Sequence, residues 1–199
     1  MAKWYILQTL IAMAAALPVY LVVRVVLLAV RRKKQPRSWP RELALCFFSL
    51  CLVGLFSQTL LVGGYMLERG QARAVWWSQF NLVPFRIFAD SVEQIRRVNN
   101  YGYFIVNFFG NIAMFLPIGL FLPMLCPKCS FGKTLLIGFG ISLLIELCQI
   151  PLGRGTDIDD LWLNTLGAAL GYALFLLARR IWPKLAHCCH AKAPEKQEK

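Results

Sequence analysis

Five long apolar runs dominate this 199-residue chain: Trp4 to Val30, Leu43 to Leu67, Tyr103 to Leu125, Thr134 to Leu152 and Leu161 to Ala178. The shortest has 18 residues. A helix rising about 1.5 Å per residue crosses a hydrocarbon core of about 30 Å in roughly 20 residues, so each run can span a membrane. The chain therefore reads as all-α, a bundle of five transmembrane helices plus one amphipathic interfacial helix. With 58% hydrophobic and 16% charged residues it lies far from the roughly 45–50% and 25% of soluble domains, which excludes a disordered, collagen-like or disulfide-scaffold protein. Residues 1–67 read as two N-terminal transmembrane helices with a basic linker, 68–178 as a core of one interfacial loop and three further spans, and 179–199 as a basic tail. No room remains for a second soluble domain. The first run reads as a retained helix, because cleavage after Ala12 to Ala16 would leave only Leu17 to Val30.

The formal net charge is +12, and it follows the membrane. Arg31, Arg32, Lys33, Lys34, Arg37 and Arg41 come after the first run, Lys128 and Lys133 after the third, and Arg179, Arg180, Lys184, Lys192, Lys196 and Lys199 after the fifth. The alternate side carries half as many cations, Lys3, Arg69, Arg73, Arg86, Arg96, Arg97 and Arg154. The positive-inside rule then puts the N-terminus outside and the C-terminus in the cytoplasm of a multi-pass cell-membrane protein. The basic linker suits anionic lipid at the inner leaflet, and no nucleic-acid partner is expected. Arg24, six residues before Val30, reads as an anchor snorkelling to the cytoplasmic surface.

Polar residues inside the spans are expensive and point to function. Asn107 and Asn111 lie four apart near the outer end of the third span. Ser142, Glu146 and Gln149 share a face toward the outer end of the fourth. Asp160, Asn164, Gly167 and Gly171 follow helical spacing at the start of the fifth, where the glycines permit close helix approach. The intervening turn, Gly153 to Asp160, is polar and external, with Arg154 the natural partner of Glu146 and with Asp157, Asp159 and Asp160 making a negative mouth. For the amides alone, interhelical hydrogen bonding is the bland explanation; Glu146 asks for more.

In the loop before the third span, Asn81-Leu82-Val83-Pro84-Phe85 reads as an extended approach, with Pro84 suited to a first helical turn. Phe85, Phe88, Val92 and Ile95 then line one face and Asp90, Glu93, Arg96 and Arg97 the other. This predicts an amphipathic helix on the outer leaflet, preceded by Trp76 and Trp77 at headgroup level. Cys126 and Cys129 form a CxxC in an inner turn, and His187-Cys188-Cys189-His190 stands in the tail. Cys126, Cys129, Cys188 and His190 together offer zinc-type ligands, but the second half matches no standard spacing, so all read as reduced thiols and plain histidines. Cys46, Cys51 and Cys148 read as small apolar packing residues. No metal and no cofactor are expected.

Four ordered blocks resemble the VanZ-like family of bacterial membrane proteins. They are Asn81-Leu82-Val83-Pro84-Phe85; Asn111-x-x-x-Phe115-x-Pro117-x-Gly119; Ser142-x-x-x-Glu146-x-x-Gln149; and Asp157-Ile158-x-Asp160-x-x-x-Asn164-Thr165-x-Gly167. They span Asn81 to Tyr172. The resemblance implies a small helical membrane protein of the Gram-positive cell envelope, related to one that confers teicoplanin resistance without altering the peptidoglycan precursor terminus. Combined with the residue pattern, the expectation is a binding protein rather than an enzyme. Its outer polar pocket comprises Asn81, Asn107, Asn111, Glu146, Gln149, Arg154, Asp157, Asp160 and Asn164, covered by Pro84 and Phe85. The expected partners are membrane lipids, a lipid-linked cell-wall precursor or an acylated lipoglycopeptide. The alternative is an enzyme acting on a lipid head group through Glu146, Asp157 and Asp160, with or without a metal. It lacks a nearby histidine and an evident nucleophile.

Overall fold

A computed structural model describes residues 2–30, 38–61, 80–150 and 156–183. Helix α1 (Ala2–Val30) is followed by α2 (Trp39–Phe56), which runs on into a π-helical turn, Ser57–Leu61. Helix α3 (Arg86–Val98) is the amphipathic one. Helix α4 occupies Tyr101–Leu125: an α-turn, Tyr101–Phe104, a π-turn, Ile105–Phe109, and a regular stretch, Gly110–Leu125. Helices α5 (Phe131–Gln149) and α6 (Ile158–Ile181) follow, the last of the helices among the described residues. All but α3 are long and apolar enough to cross a membrane, so the protein is an all-α, multi-pass membrane protein. Trp76, Trp77 and most of the basic linker and tail lie outside the described residues.

The bundle is organised around the contact between α4 and α6, the most extensive between any two helices. Small residues make it possible. A Cβ on Gly119 would fall 2.7 Å from the Tyr172 backbone nitrogen, one on Gly171 2.9 Å from the Gly119 Cα, and one on Gly167 3.0 Å from the Phe115 Cβ. Lipid provides no hydrophobic drive for helices to associate, so backbone proximity and dispersion must supply it. Phe115, Ile118 and Leu163 fill the space around the glycines and are essentially inaccessible. Helix α2 adds Leu55 to the same core, and nearer the other end Ala44 joins Met124 and Phe175. Helix α5 seals the second side of α6, where Gly138 faces Ala168.

Helix α1 packs against α2. Thr9 and Gln58 hydrogen-bond at one end, Met13 lies over Gly54, and at the other end Arg24 reaches Glu42. This last contact corrects the reading of Arg24 as a lone snorkelling anchor. Its Nε and Nη2 atoms donate to the two carboxylate oxygens of Glu42, each at 2.7 Å, a bidentate pair with both side chains about one-fifth exposed. Glu42 sits in the first turn of α2, where the helix dipole favours an anion. A fork-to-carboxylate pair there neutralises a cation that lipid would otherwise oppose.

One other boundary differs from the sequence reading. Helix α6 begins at Ile158 rather than Leu161, because Asp157 caps it and Asp159 and Asp160 occupy its first turn. On α3 the stripe read as interfacial stays open at Phe85, Phe88 and Val92, and the buried residues are Ile87 and Ser91.

Adding a methyl at the α4–α6 contact should be costly. Gly171→Ala should destabilise the bundle by about 1–3 kcal/mol through overpacking, read as a lower melting temperature in detergent. Gly140→Ala, where a Cβ meets nothing within 4 Å, should be neutral or slightly stabilising. Equal melting temperatures for the two variants would contradict the packing described.

Candidate functional site

Helix α3 begins with no capping side chain of its own. Its N-cap is Phe85, whose backbone is left-handed (φ 65°, ψ 15°), a conformation that costs a non-glycine residue about 1–2 kcal/mol. The compensation comes from α6. The Phe85 N–H donates to Asp159 Oδ1 at 2.6 Å and the Ile87 N–H to Asp159 Oδ2 at 2.7 Å. One carboxylate thereby caps a helix more than 70 residues away in sequence. Trp162, one turn along α6, donates its indole N–H to the same Oδ1 at 2.8 Å, and its ring packs 5.4 Å from that of Phe85. Asp159 has no exposed surface, so these donors replace the water that its charge has lost. Pro84 consequently lies in the turn before α3 and not in its first helical turn, since the left-handed Phe85 intervenes.

The approach to that turn is fixed by an isolated parallel β-bridge between Asn81 and Asp157. The Asn81 N–H donates to the Thr156 carbonyl at 2.9 Å, and the Ile158 N–H to the Asn81 carbonyl at 3.0 Å. The Asn81 side chain adds a bond from Nδ2 to Asp157 Oδ1 at 2.7 Å. Asp157 in turn caps α6, accepting from the Asp159 N–H at 2.8 Å, while its own N–H donates to Glu146 Oε2 at 3.0 Å. Asn111 of α4 donates to Asp160. One turn deeper, Asn164 donates to the Ser142 hydroxyl at 2.9 Å, and Gln149 of α5 donates to the Thr59 carbonyl of α2 at 2.9 Å.

Of the residues singled out from the sequence, Asn81, Asn111, Glu146, Asp157, Asp160, Asn164 and Gln149 thus converge on one end of the bundle, drawn from three helices and the segment before α3. Asn107 does not join them. It lies in the π-turn of α4, where the wider i→i+5 register alters the face it presents, and its amide donates to the Tyr103 carbonyl at 2.8 Å. Arg154 lies outside the described residues, and so does its pairing with Glu146. Cys188 and His190 do as well; Cys148 is exposed rather than packed. Asp159 and Trp162 were missed as site residues. The available signal was a helix, α3, with no Ser, Thr, Asn or Asp at its start, which implies a cap supplied from elsewhere.

Accessibility divides the cluster. Glu146, Gln149, Asn164 and Asp159 are buried, whereas Asn81, Asn111, Asp157 and Asp160 are half-buried and form its reachable rim. Burial pushes the Asp157 carboxyl above the usual carboxylate range, outweighing the Asp159 N–H and the Asn81 amide that favour its charged form. Both of those bonds fall on Oδ1. Among the described residues, no three His, Cys, Asp or Glu side chains are grouped so as to hold a metal ion. Ser142, buried and engaged by Asn164, is not presented as a nucleophile. Beside the cluster, Phe88, Phe104 and Phe108 stack against one another and Phe108 meets Trp162, a run of aromatic contacts joining α3, α4 and α6.

Compared with known proteins, residues 43–179 match the model of a family described as VanZ/LLP1. The match takes in α2 from Leu43 onward as well as the segment from Asn81 to Tyr172. No curated protein and no solved structure matches the chain.

Two outcomes follow from this geometry. Asp159→Asn turns one acceptor into a donor facing a backbone N–H, a cost on the order of 3 kcal/mol; hydrogen exchange should then quicken at Ile87 and through α3 but not in α5. Unchanged protection at Ile87 would refute the shared cap. For Asp157, the raised native value means that the folded state holds a proton more readily than the unfolded chain, whose carboxyl titrates near 3.8. Its stability contribution is present below that range and is lost as pH rises through the native value. The melting temperature of wild type relative to Asp157→Asn should therefore rise as pH falls from neutral.

Proposed function

The chain belongs to the VanZ/LLP1 family, and from that premise we propose that it binds or reorganises a lipid-linked molecule at the outer leaflet, lowering susceptibility to teicoplanin-type lipoglycopeptides. In this reading the N-terminus is outside and the C-terminus cytoplasmic, as the cation distribution requires, and the polar end of the bundle faces outward. The observation that carries the reading is the mounting of α3. Its N-terminus is tied by two backbone hydrogen bonds to a buried carboxylate, while its flank remains open to the surface.

That flank has the chemistry of a lipid–water boundary. Phe88, Ala89 and Val92 floor a shallow groove, and Glu93, Arg96 and Arg97 rim it. Arg97 pairs with Glu93 at 2.7 Å and Arg86 with Asp90 at 3.4 Å, and among the described residues of this flank Arg96 is the cation placed to meet an anionic head group. Phe85, Leu82 and Val83, all well exposed, extend the apolar surface toward the acyl region. The half-buried carboxylates and amides at the rim supply hydrogen-bonding partners for hydroxyl or amine groups of a head. Behind them the Asn164 carbonyl oxygen is buried without a partner among the described residues. A lipoglycopeptide such as teicoplanin presents an acyl chain and a polar, hydroxyl-rich body at this boundary, and a lipid-linked cell-wall precursor presents the same combination.

The test is susceptibility of a sensitive Gram-positive host expressing wild type, Arg96→Glu or Asp157→Asn, with membrane levels matched by blot. Wild type should raise resistance to teicoplanin several-fold and leave vancomycin resistance nearly unchanged. Both variants should lose the protection. Full protection from a well-expressed Arg96→Glu variant would remove α3 from the reading, and no protection from wild type would overturn the link to the drug.

A further inference from the structure

The connection between α4 and α5, at the end of the bundle away from the polar cluster, carries chemistry that the proposed function does not use. Cys126 is the C-cap of α4, with extended backbone (φ −126°, ψ 98°), and Cys129 immediately precedes Ser130, the N-cap of α5. Between them runs a hydrogen-bonded β-turn in which the Cys129 N–H donates to the Cys126 carbonyl at 3.0 Å. A β-turn holds its end Cα atoms within about 7 Å, and a disulfide requires about 4.4–6.8 Å. Pro127, at the second position, favours the turn by its fixed φ. Both cysteines are free and half-buried. The chain thus holds two thiols at the two ends of one tight turn, each anchored to a helix end.

We propose that Cys126 and Cys129 form a thiol–disulfide exchange site that reacts with low-molecular-weight disulfides of the glutathione class. Cys126 is the attacking group: it opens the turn that carries Lys128, and Cys129 and Lys128 beside it hold its thiol below the usual range, whereas burial pushes that of Cys129 up. The Cys126 thiolate attacks one sulfur of glutathione disulfide, whose S–S bond breaks and releases one glutathione thiolate. Cys129 then gives up its proton to solvent and attacks the Cys126 sulfur, forming the Cys126–Cys129 bond and releasing the second glutathione thiolate. Two protein thiols are oxidised and one small disulfide is reduced to two thiols. A crosslink across so short a loop restricts the unfolded chain little, so the pair serves for exchange rather than as a staple. In the orientation proposed above the turn faces the reducing cytoplasm, where the pair cycles instead of resting oxidised.

The experiment uses the purified full chain carrying Cys188→Ser and Cys189→Ser, so that the tail thiols do not compete. Glutathione disulfide is added, the reaction is stopped with acid, and remaining thiols are counted by maleimide labelling, with the modified peptides identified by mass spectrometry. The expected result is loss of two alkylatable thiols together and a peptide spanning Cys126 and Cys129 that is lighter by two hydrogens. A Cys129→Ser variant should stop at the mixed disulfide on Cys126, and glutathione should restore both thiols in the parent. Any of three results overturns the proposal: both thiols stay alkylatable, the parent accumulates an unresolved mixed disulfide, or the protein purifies with stoichiometric zinc that shields both sulfurs and marks a metal site instead.

Discussion

The carboxylate of Asp159, at the start of one helix, receives the amino end of another. It lies in the first turn of α6, where the helix's own free N–H groups favour an anion, and it accepts the first N–H groups of α3 as well. An isolated buried carboxylate costs several kcal/mol of lost hydration; here two backbone donors and the Trp162 indole surround it. Much of the surrounding geometry follows from satisfying it. Phe85 takes a left-handed backbone to aim its N–H, Pro84 is held back in the preceding turn, and Asn81 aligns beside Asp157 to bring the chain to that point. Without this acceptor the N-terminus of α3 would lose its side-chain cap.

The shared cap depends in turn on how closely α4 and α6 approach. Gly119, Gly167 and Gly171 let their backbones meet, which brings Asn111 of one helix within reach of Asp160 on the other. Deep in the same contact Phe115 and Leu163 exclude solvent, so the buried amide of Asn164 above them finds its partner in Ser142 of α5. The π-turn of α4 belongs to this economy. By widening the helix at Ile105–Phe109 it sends Phe104, Phe108 and Phe109 toward one aromatic cluster, and it leaves Asn107 to satisfy a local carbonyl.

Two groups of polar residues therefore do different work at this end of the molecule. Asp159, Gln149, Asn164 and Ser142 are buried and engaged with other parts of the chain, and they set the shape. Asp157, Asp160, Asn81 and Asn111 lie at the rim, and together with the open flank of α3 they form the surface on which a ligand can act. The Arg24–Glu42 pair stands apart from both, joining α1 to α2 near the opposite end.

The five spans, the amphipathic helix and the clustering of amides and carboxylates at one depth were legible in the sequence, because hydrophobic length and residue spacing are local, one-dimensional properties. Gly167 and Gly171 could be read for the same reason: only a small residue at helical spacing lets two helices touch in lipid. The partners of those polar groups were not legible. Arg24 reads from the sequence as an anchor, because Glu42, eighteen residues on, accepts its Nε and Nη2 donors only once α1 and α2 lie side by side. Asp159 passed as one acid of a turn, although it caps a helix 72 residues upstream at Ile87. Pairing of this kind depends on which helices lie side by side and on the direction of each backbone N–H. Those are fixed only when the whole bundle has packed.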